Sequence, residues 1–352
     1  MKLCKISDLT GREKLARPIM SKDYKELLSK GTVLKPEYIR LIEVLGFSEV
    51  FVEDSKLSPE EVVILRKEIA NIFTEKVRSI MERHIYADNK ELFELKETAE
   101  SIINSVLEND EIVDKIFDIK ERSADIYEHS ISVCSLSVIV AAKLKLGEQE
   151  MKDLAIASLF HDIGLRCLDF NYTNRFLDEL NENELREYRK HPVYSFSSLE
   201  HEPWISKDSK LMILQHHERV DGSGFPMHAK VACMGSQILE VTDAFDEMIC
   251  GIGCVRSRVY EAVEFLKMCK SSQFCEMVVD TMLEFTAVYP AGTVVKLNTG
   301  EEAIVVRQNR QFPERPIVKI VKDAGGNLIE SEKICDLLEI RTVYIENVDP
   351  EW

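Results

Sequence analysis

The chain has no two cysteines in a C-x-x-C pair, no apolar run that could span a membrane, no low-complexity tract and no internal repeat. The first absence, with an odd nine cysteines scattered from Cys4 to Cys335, argues against a disulfide scaffold or a zinc ribbon and suits a reducing compartment. The second, with an opening MKLCKISDLTGREKLARPIM that lacks the apolar stretch of a signal peptide, leads to the expectation of a cytoplasmic protein without a membrane partner. Positive charge is short as well. Lys and Arg number 45 against 62 Asp and Glu, a formal net charge of −17, which argues against DNA as a partner. A small anionic ligand stays open, because bound cations invert the charge of a site locally.

What is present sorts into four stretches. Residues 1–57 mix apolar segments with turn signals, and Gly31 and Gly46 punctuate a strand, a helix and a strand, a small α+β module. Over 58–119, Ser58 ahead of Pro59, Glu60 and Glu61 predicts a helix start, followed by apolar residues at helical spacing. Residues 120–285 read as almost entirely helical: Val133, Leu136, Val140 and Leu144 mark one apolar face, and Leu154, Ser158 and His161 another. From 286 to 352, alternating apolar and polar residues around Asn298–Gly300 and Gly325–Gly326 predict a β-rich tail.

Histidine is scarce, eight in 352 residues, and within the helical region His129, His161, His191, His216 and His217 recur in ordered company with carboxylates. Asp125 precedes His129 by one helical turn; such a pair alone is more often a satisfied helix histidine than a ligand. His161 and Asp162 follow the apolar run LAIASLF, so an imidazole and a carboxylate sit together where a buried helix ends. Neither group is buried cheaply without a partner. For an isolated His-Asp dipeptide, a buried hydrogen bond is the simpler reading. His216 and His217 follow another apolar helix and lead into a sharp turn through Gly222 and Gly224 to Pro226. His191 precedes Pro192, a favoured residue at a helix start. Asp243 and Asp246 are three apart, and the apolar neighbours of Asp243 turn it inward, where it needs a cation or a donor.

Together these residues offer nitrogen and oxygen ligands with no thiolate, a mixture that suits iron or manganese at least as well as zinc. Two such ions bridged by a carboxylate are a recurring device for phosphate ester hydrolysis, since they generate hydroxide at neutral pH and stabilise charge on phosphoryl oxygens.

The order His129, HDIG at 161–164, HP at 191–192, HHERVDGSGFP at 216–226 and VTDAFD at 241–246 resembles the HD-GYP family of HD-domain phosphohydrolases, over roughly residues 120–285. The resemblance implies a mainly α fold: an all-helical HD core carrying the N-terminal α+β module and the β-rich tail. It also implies two or three divalent metal ions, iron or manganese, and hydrolysis of cyclic di-GMP to pGpG or GMP by a metal-bound hydroxide. Carried over by position, His129, His161, Asp162, His191, His216, His217 and Asp243 are metal ligands, with Asp162 bridging, His161 and Asp162 central to catalysis, and Asp125 in the place of a third-metal ligand. Substrate contacts fall on Arg166, Gly222, Gly224, Phe225 and Pro226, and the same loop is the place for protein partners; a homodimer is a further expectation.

Three positions depart from the family pattern. Leu165 stands where a phosphate-holding Lys follows HDIG, and Arg166 comes one residue later. Phe225 replaces Tyr, which keeps stacking on a base and loses a hydroxyl. Ser195 replaces Gly and is expected to narrow the space near the metals. Two readings of different kind therefore stand side by side, an active phosphodiesterase and a catalytically weak cyclic di-GMP sensor. An HD hydrolase acting on another nucleotide phosphate is a third.

Overall fold

The computed structural model describes residues 1–22, 25–53, 59, 61–84, 90–107, 115–309 and 312–348. The chain forms two compact units. One gathers residues 1–62, 116–123 and 287–352; the other gathers 63–115 and 124–286.

The first unit is built on strands. β1 (Lys2–Lys5) pairs antiparallel with β4 (Glu49–Val52), β2 (Ile19–Met20) with β3 (Glu26–Leu28), and α1 (Pro36–Val44) lies between β3 and β4 in the chain. Pro36 opens α1, where its missing N–H costs nothing. Leu15, Leu34, Ile42 and Val50 are fully buried together here. The tail contributes β5 (Val294–Leu297), β6 (Glu302–Arg307), β7 (Ile317–Lys322), β8 (Leu328–Asp336) and β9 (Ile345–Val348), one antiparallel sheet in the order β8-β7-β6-β5-β9. Its hairpins turn at the Gly300 and Gly325–Gly326 segments, as the pattern of alternation predicts.

The opening module and the tail, set apart in the sequence reading, share a core: Met1, Leu3 and Phe51 pack with Val294, Ile304 and Val321. Asp118 pins the short 116–123 segment into the same unit. Its buried carboxylate accepts from Val62 N at 2.8 Å, Ala291 N at 2.7 Å and Gln308 Nε2 at 3.0 Å. Of the helix start expected at Pro59–Glu61, Pro59 and Glu61 are not helical. Val62 N donates to the Asp118 carboxylate and Val62 O accepts from Asp118 N at 2.7 Å, so the chain just after them pairs with the 118 segment instead. Ser58 and Glu60, parts of that signal, lie outside the described residues.

The second unit is helical. Its helices are α2 (Lys67–His84), α3 (Glu94–Leu107), α4 (Ile126–Lys143), α5 (Glu148–Phe160), α6 (Glu182–Tyr188), α7 (His191–Leu199), α8 (Lys207–Gln215), α9 (Met234–Cys250), α10 (Val259–Cys269) and α11 (Glu276–Leu283). α4 is the axis of the unit. Residues 133–141 of it are all buried, as befits a helix packed on every side by α2, α3, α5, α9 and α11. Asp125 caps α4, its Oδ1 accepting from the backbone N–H of Tyr127 and Glu128. α9 ends at Gly251, whose φ of 81° only glycine adopts readily. Among the described residues no helix is long and apolar enough to cross a membrane.

Candidate metal centre

Where helices meet, their ends supply a buried cluster of polar side chains. His129 comes from the first turns of α4, His161 and Asp162 from the end of α5, His191 from the start of α7, His216 and His217 from the end of α8, and Asp243 from the middle of α9. All are essentially excluded from solvent. Donor atoms of His129, His161, Asp162 and Asp243 lie within 4.8 Å of one another, and so do those of Asp162, His191, His216 and His217.

Asp162 belongs to both groups and faces each with a different oxygen. Its Oδ2 is 3.5 Å from Nε2 of both His129 and His161, and its Oδ1 is 3.2 Å from His191 Nε2 and 3.4 Å from His216 Nε2. Neither oxygen has a hydrogen-bond partner, nor does Oδ2 of Asp243. A buried carboxylate left this way is costly unless a cation completes it.

The imidazoles are oriented for the same purpose. Nδ1 of His161 donates to Ser158 O at 2.7 Å, that of His191 to Tyr188 O at 2.7 Å, and that of His216 to Ile213 O at 2.6 Å. His129 donates its Nδ1–H to Asp246 Oδ2 at 2.7 Å, and Asp246 is steadied by Ser132 Oγ at 2.6 Å. Each bond fixes a tautomer and turns Nε2 inward. The inward nitrogens come in pairs, His129 with His161 at 3.1 Å and His191 with His216 at 3.0 Å. Two nitrogens bound at about 2.1 Å on adjacent corners of one ion would be about 3 Å apart. The residues therefore fit metal ions at both groups.

The electrostatics of the metal-free cluster agree. Burial resists ionisation of Asp162, yet the imidazoles of His161, His191 and His216 hold it well below the ordinary carboxylate range. Asp243 is likewise held down against burial by His161 and His129. His129 is raised well above its ordinary value because Asp243 and Asp246 outweigh its burial, and His161 is raised by Asp162 and Asp243. His216 and His217 are lowered, chiefly by burial, and stay neutral as ligands must.

Two sequence candidates are not brought to the cluster. Asp125 is taken up by the α4 cap and by Arg78, whose Nη2 lies 2.7 Å from its Oδ2. Arg166 turns its guanidinium to the carbonyl of Met81 on α2. Ser195 is buried, and its Oγ accepts from Gly164 N at 2.9 Å, bracing the HDIG turn. Leu165 is buried in an apolar cluster with Leu180, Tyr188, Cys250 and Ile252.

The Gly222–Pro226 loop lies against the second group. The Phe225 ring stacks on His217, centroids 4.6 Å apart. Gly222 has a φ of 84°, and a Cβ on Gly224 would come within 2.3 Å of His217 O, so the loop requires both glycines. Buried Glu218 holds the far side, accepting from Met227 N at 2.5 Å and Ala229 N at 2.9 Å. Sequence reasoning passed over Asp246 and Glu247 as site residues. Asp246 was visible as a second inward carboxylate three residues from Asp243; Glu247 follows Asp243 by one turn and offers a donor near His217.

Comparison with known proteins agrees with this geometry. Residues 106–274 match the HD domain, and 294–352 match a KOW domain associated with the HD domain. The helical unit is thus an HD domain, a class that depends on divalent metal, as its buried His and Asp donors suggest. Among relatives, the cyclic di-GMP phosphodiesterase PA4108 of Pseudomonas aeruginosa is 25% identical over 68% of this chain and 58% of its own length. The cyclic di-GMP phosphodiesterase PdeB of Borreliella burgdorferi is 22% identical over 62% of this chain and 58% of its own. The chain thus spans a little over half the length of these relatives. A structure of Bd1817, an HDG"Y"P protein from Bdellovibrio bacteriovorus, shares the fold, with a TM-score of 0.52 at 18% identity over 80% of this chain and 97% of that one. The HD domain of this chain is thus similar to those of relatives named as cyclic di-GMP phosphodiesterases, and it shares its fold with an HDG"Y"P protein.

Proposed function

We propose that this protein is a metal-dependent phosphodiesterase that hydrolyses a cyclic dinucleotide, foremost cyclic di-GMP, to pGpG or GMP. One observation carries the reading: Asp162 is buried, has no hydrogen-bond partner on either oxygen, and presents one oxygen to each of two imidazole pairs. That is the arrangement of a bridging ligand between two cations. Its ligands would be His129, His161 and Asp243 on one side and His191, His216 and His217 on the other. The all nitrogen and oxygen donor set favours iron or manganese. Ions bound there would supply a nucleophile at neutral pH and neutralise phosphoryl oxygens.

The protein's own part is positioning. The Nδ1 hydrogen bonds hold the rings, and Phe225, braced on His217, offers an aromatic surface against which a guanine can stack. Phe225 and Pro226 border a surface cleft together with Arg186, Arg189, Lys190 and Glu182, and three cations against one carboxylate suit phosphates. The relatives named as cyclic di-GMP phosphodiesterases support the substrate, and nine free cysteines support a cytoplasmic setting. In the test, full-length protein loaded anaerobically with Fe(II) or Mn(II) is incubated with cyclic di-GMP and the linear product is measured. Ions demonstrably bound with no turnover of cyclic di-GMP would sink the proposal.

A further inference from the structure

Beside the two groups joined by Asp162 lies a third set of donors. Asp243 and Glu247 are one turn apart on the same face of α9, and His217 reaches them from the end of α8. One donor atom from each of the three lies within 4.8 Å of the others. His217 Nε2 is 3.7 Å from Glu247 Oε1, and His217 Nδ1 is 3.8 Å from Asp243 Oδ2. Two atoms aimed into this space, His217 Nε2 and Asp243 Oδ2, are buried and have no hydrogen-bond partner. Asp243 also divides its oxygens: Oδ1 serves His129 and His161 at 3.1 and 3.2 Å, while Oδ2 turns to His217.

We infer that Glu247, with Asp243 and His217, forms a third cation position in this chain. It rests on the metal-centre reading above and takes the place of the third site that the sequence assigned to Asp125. That carboxylate is occupied twice over, by the α4 cap and by Arg78. Two carboxylates and one imidazole favour a hard or borderline divalent ion such as Mn(II), Mg(II) or Fe(II) over a soft one. With His217 committed here, the second group retains Asp162, His191 and His216, three ligands, enough for an ion that keeps an open position. Tyr188 fixes the Glu247 rotamer by donating its hydroxyl to Oε1 at 3.3 Å. The third position also puts positive charge near Phe225, which packs on His217, at a centre where Leu165 offers none.

Full-length protein titrated with Mn(II) under anaerobic conditions, desalted and analysed by elemental mass spectrometry, decides the matter. Wild type is expected to hold about three equivalents and Glu247→Gln about one fewer. Gln keeps the size and the acceptor for Tyr188, and a thermal melt of the metal-free variant checks that it folds. Asp125→Asn and Tyr188→Phe are expected to retain the wild-type count. A wild type holding only two equivalents, a Glu247→Gln that loses none, or an Asp125→Asn that loses one would each overturn the inference while leaving the two groups around Asp162 standing. A wild type that holds no ion would instead refute the metal centre itself.

Discussion

Asp246 touches no proposed ion, yet replacing it should weaken metal binding. Its Oδ2 accepts the Nδ1–H of His129 at 2.7 Å and its Oδ1 accepts from Ser132 Oγ at 2.6 Å. In Asp246→Asn the amide oxygen can still accept from His129 while the amide N–H₂ meets Ser132 Oγ, a hydroxyl able to accept. Shape and ring orientation survive; the negative charge that makes His129 a stronger ligand does not. Loss of such an outer partner typically lowers metal affinity about 10- to 100-fold, equivalent to about 1.4–2.7 kcal/mol. The sign with pH follows from the His129 shift. Its pKa is raised well above the ordinary value, in part by Asp246, so protons compete with metal in the wild type as pH falls. Asn relieves part of that competition, so the deficit should be widest at alkaline pH and narrow on acidification. Mn(II) titration against a chelating indicator at two pH values measures both effects. An affinity within about twofold of wild type at alkaline pH would refute the reasoning.

Three other perturbations follow from the same geometry. Glu240 is buried beneath Arg219, whose Nη1 is 3.8 Å away, and burial pushes its carboxyl up to about 9. The folded pKa lies above the unfolded one, so this group's favourable contribution is complete below about pH 4.5 and is lost as pH rises toward 9. Glu240→Gln should therefore be more stable than wild type at pH 8 by on the order of 5 kcal/mol and about equal to it near pH 4.5, as read from denaturant midpoints. Glu218→Ala removes the charged acceptor shared by the Met227 and Ala229 N–H groups at a cost of about 1–3 kcal/mol, and hydrogen exchange across residues 222–229 should accelerate selectively. Gly224→Ala drives a Cβ into His217 O and Glu218 Cα. The displaced His217 and Phe225 should lower kcat/KM for cyclic di-GMP by about 10- to 100-fold; unchanged kinetics would show the loop to be remote from the reacting phosphate.

The ligand cluster was legible because histidine is rare and each copy follows or opens an apolar helix, so little else could explain those positions. The role of Asp125 was not. A carboxylate just before a helix serves equally as a cap or as a ligand, and only the approach of Arg78 from α2, 47 residues earlier, settles the matter. Arg166 misled for a related reason: a long guanidinium can point to either side of its turn, and the Met81 carbonyl took it. The core shared by the first strands and the tail was invisible, since Leu3 and Phe51 meet Val294 and Ile304 across more than 200 residues of sequence with no local signal. The helix signal around Pro59 and Glu61 had the right residues, but Val62 directly after it pairs with Asp118 and both described residues stay non-helical.

One physical economy explains why the site lies at helix ends. The last carbonyls of a helix have no partner within it. Ser158, Tyr188 and Ile213 occupy such positions in α5, α6 and α8, and each gives its carbonyl to the Nδ1–H of the histidine three residues on. The bond that satisfies the helix terminus is thus the bond that fixes the tautomer and turns Nε2 inward. A histidine in the first turn of a helix lacks this option, because the carbonyls before it are engaged within the helix. His129 is that case, and it alone of the four relies on a side chain, Asp246, for the same service. Its orientation therefore depends on a second titratable group, whereas the other three are set by backbone that pH does not change.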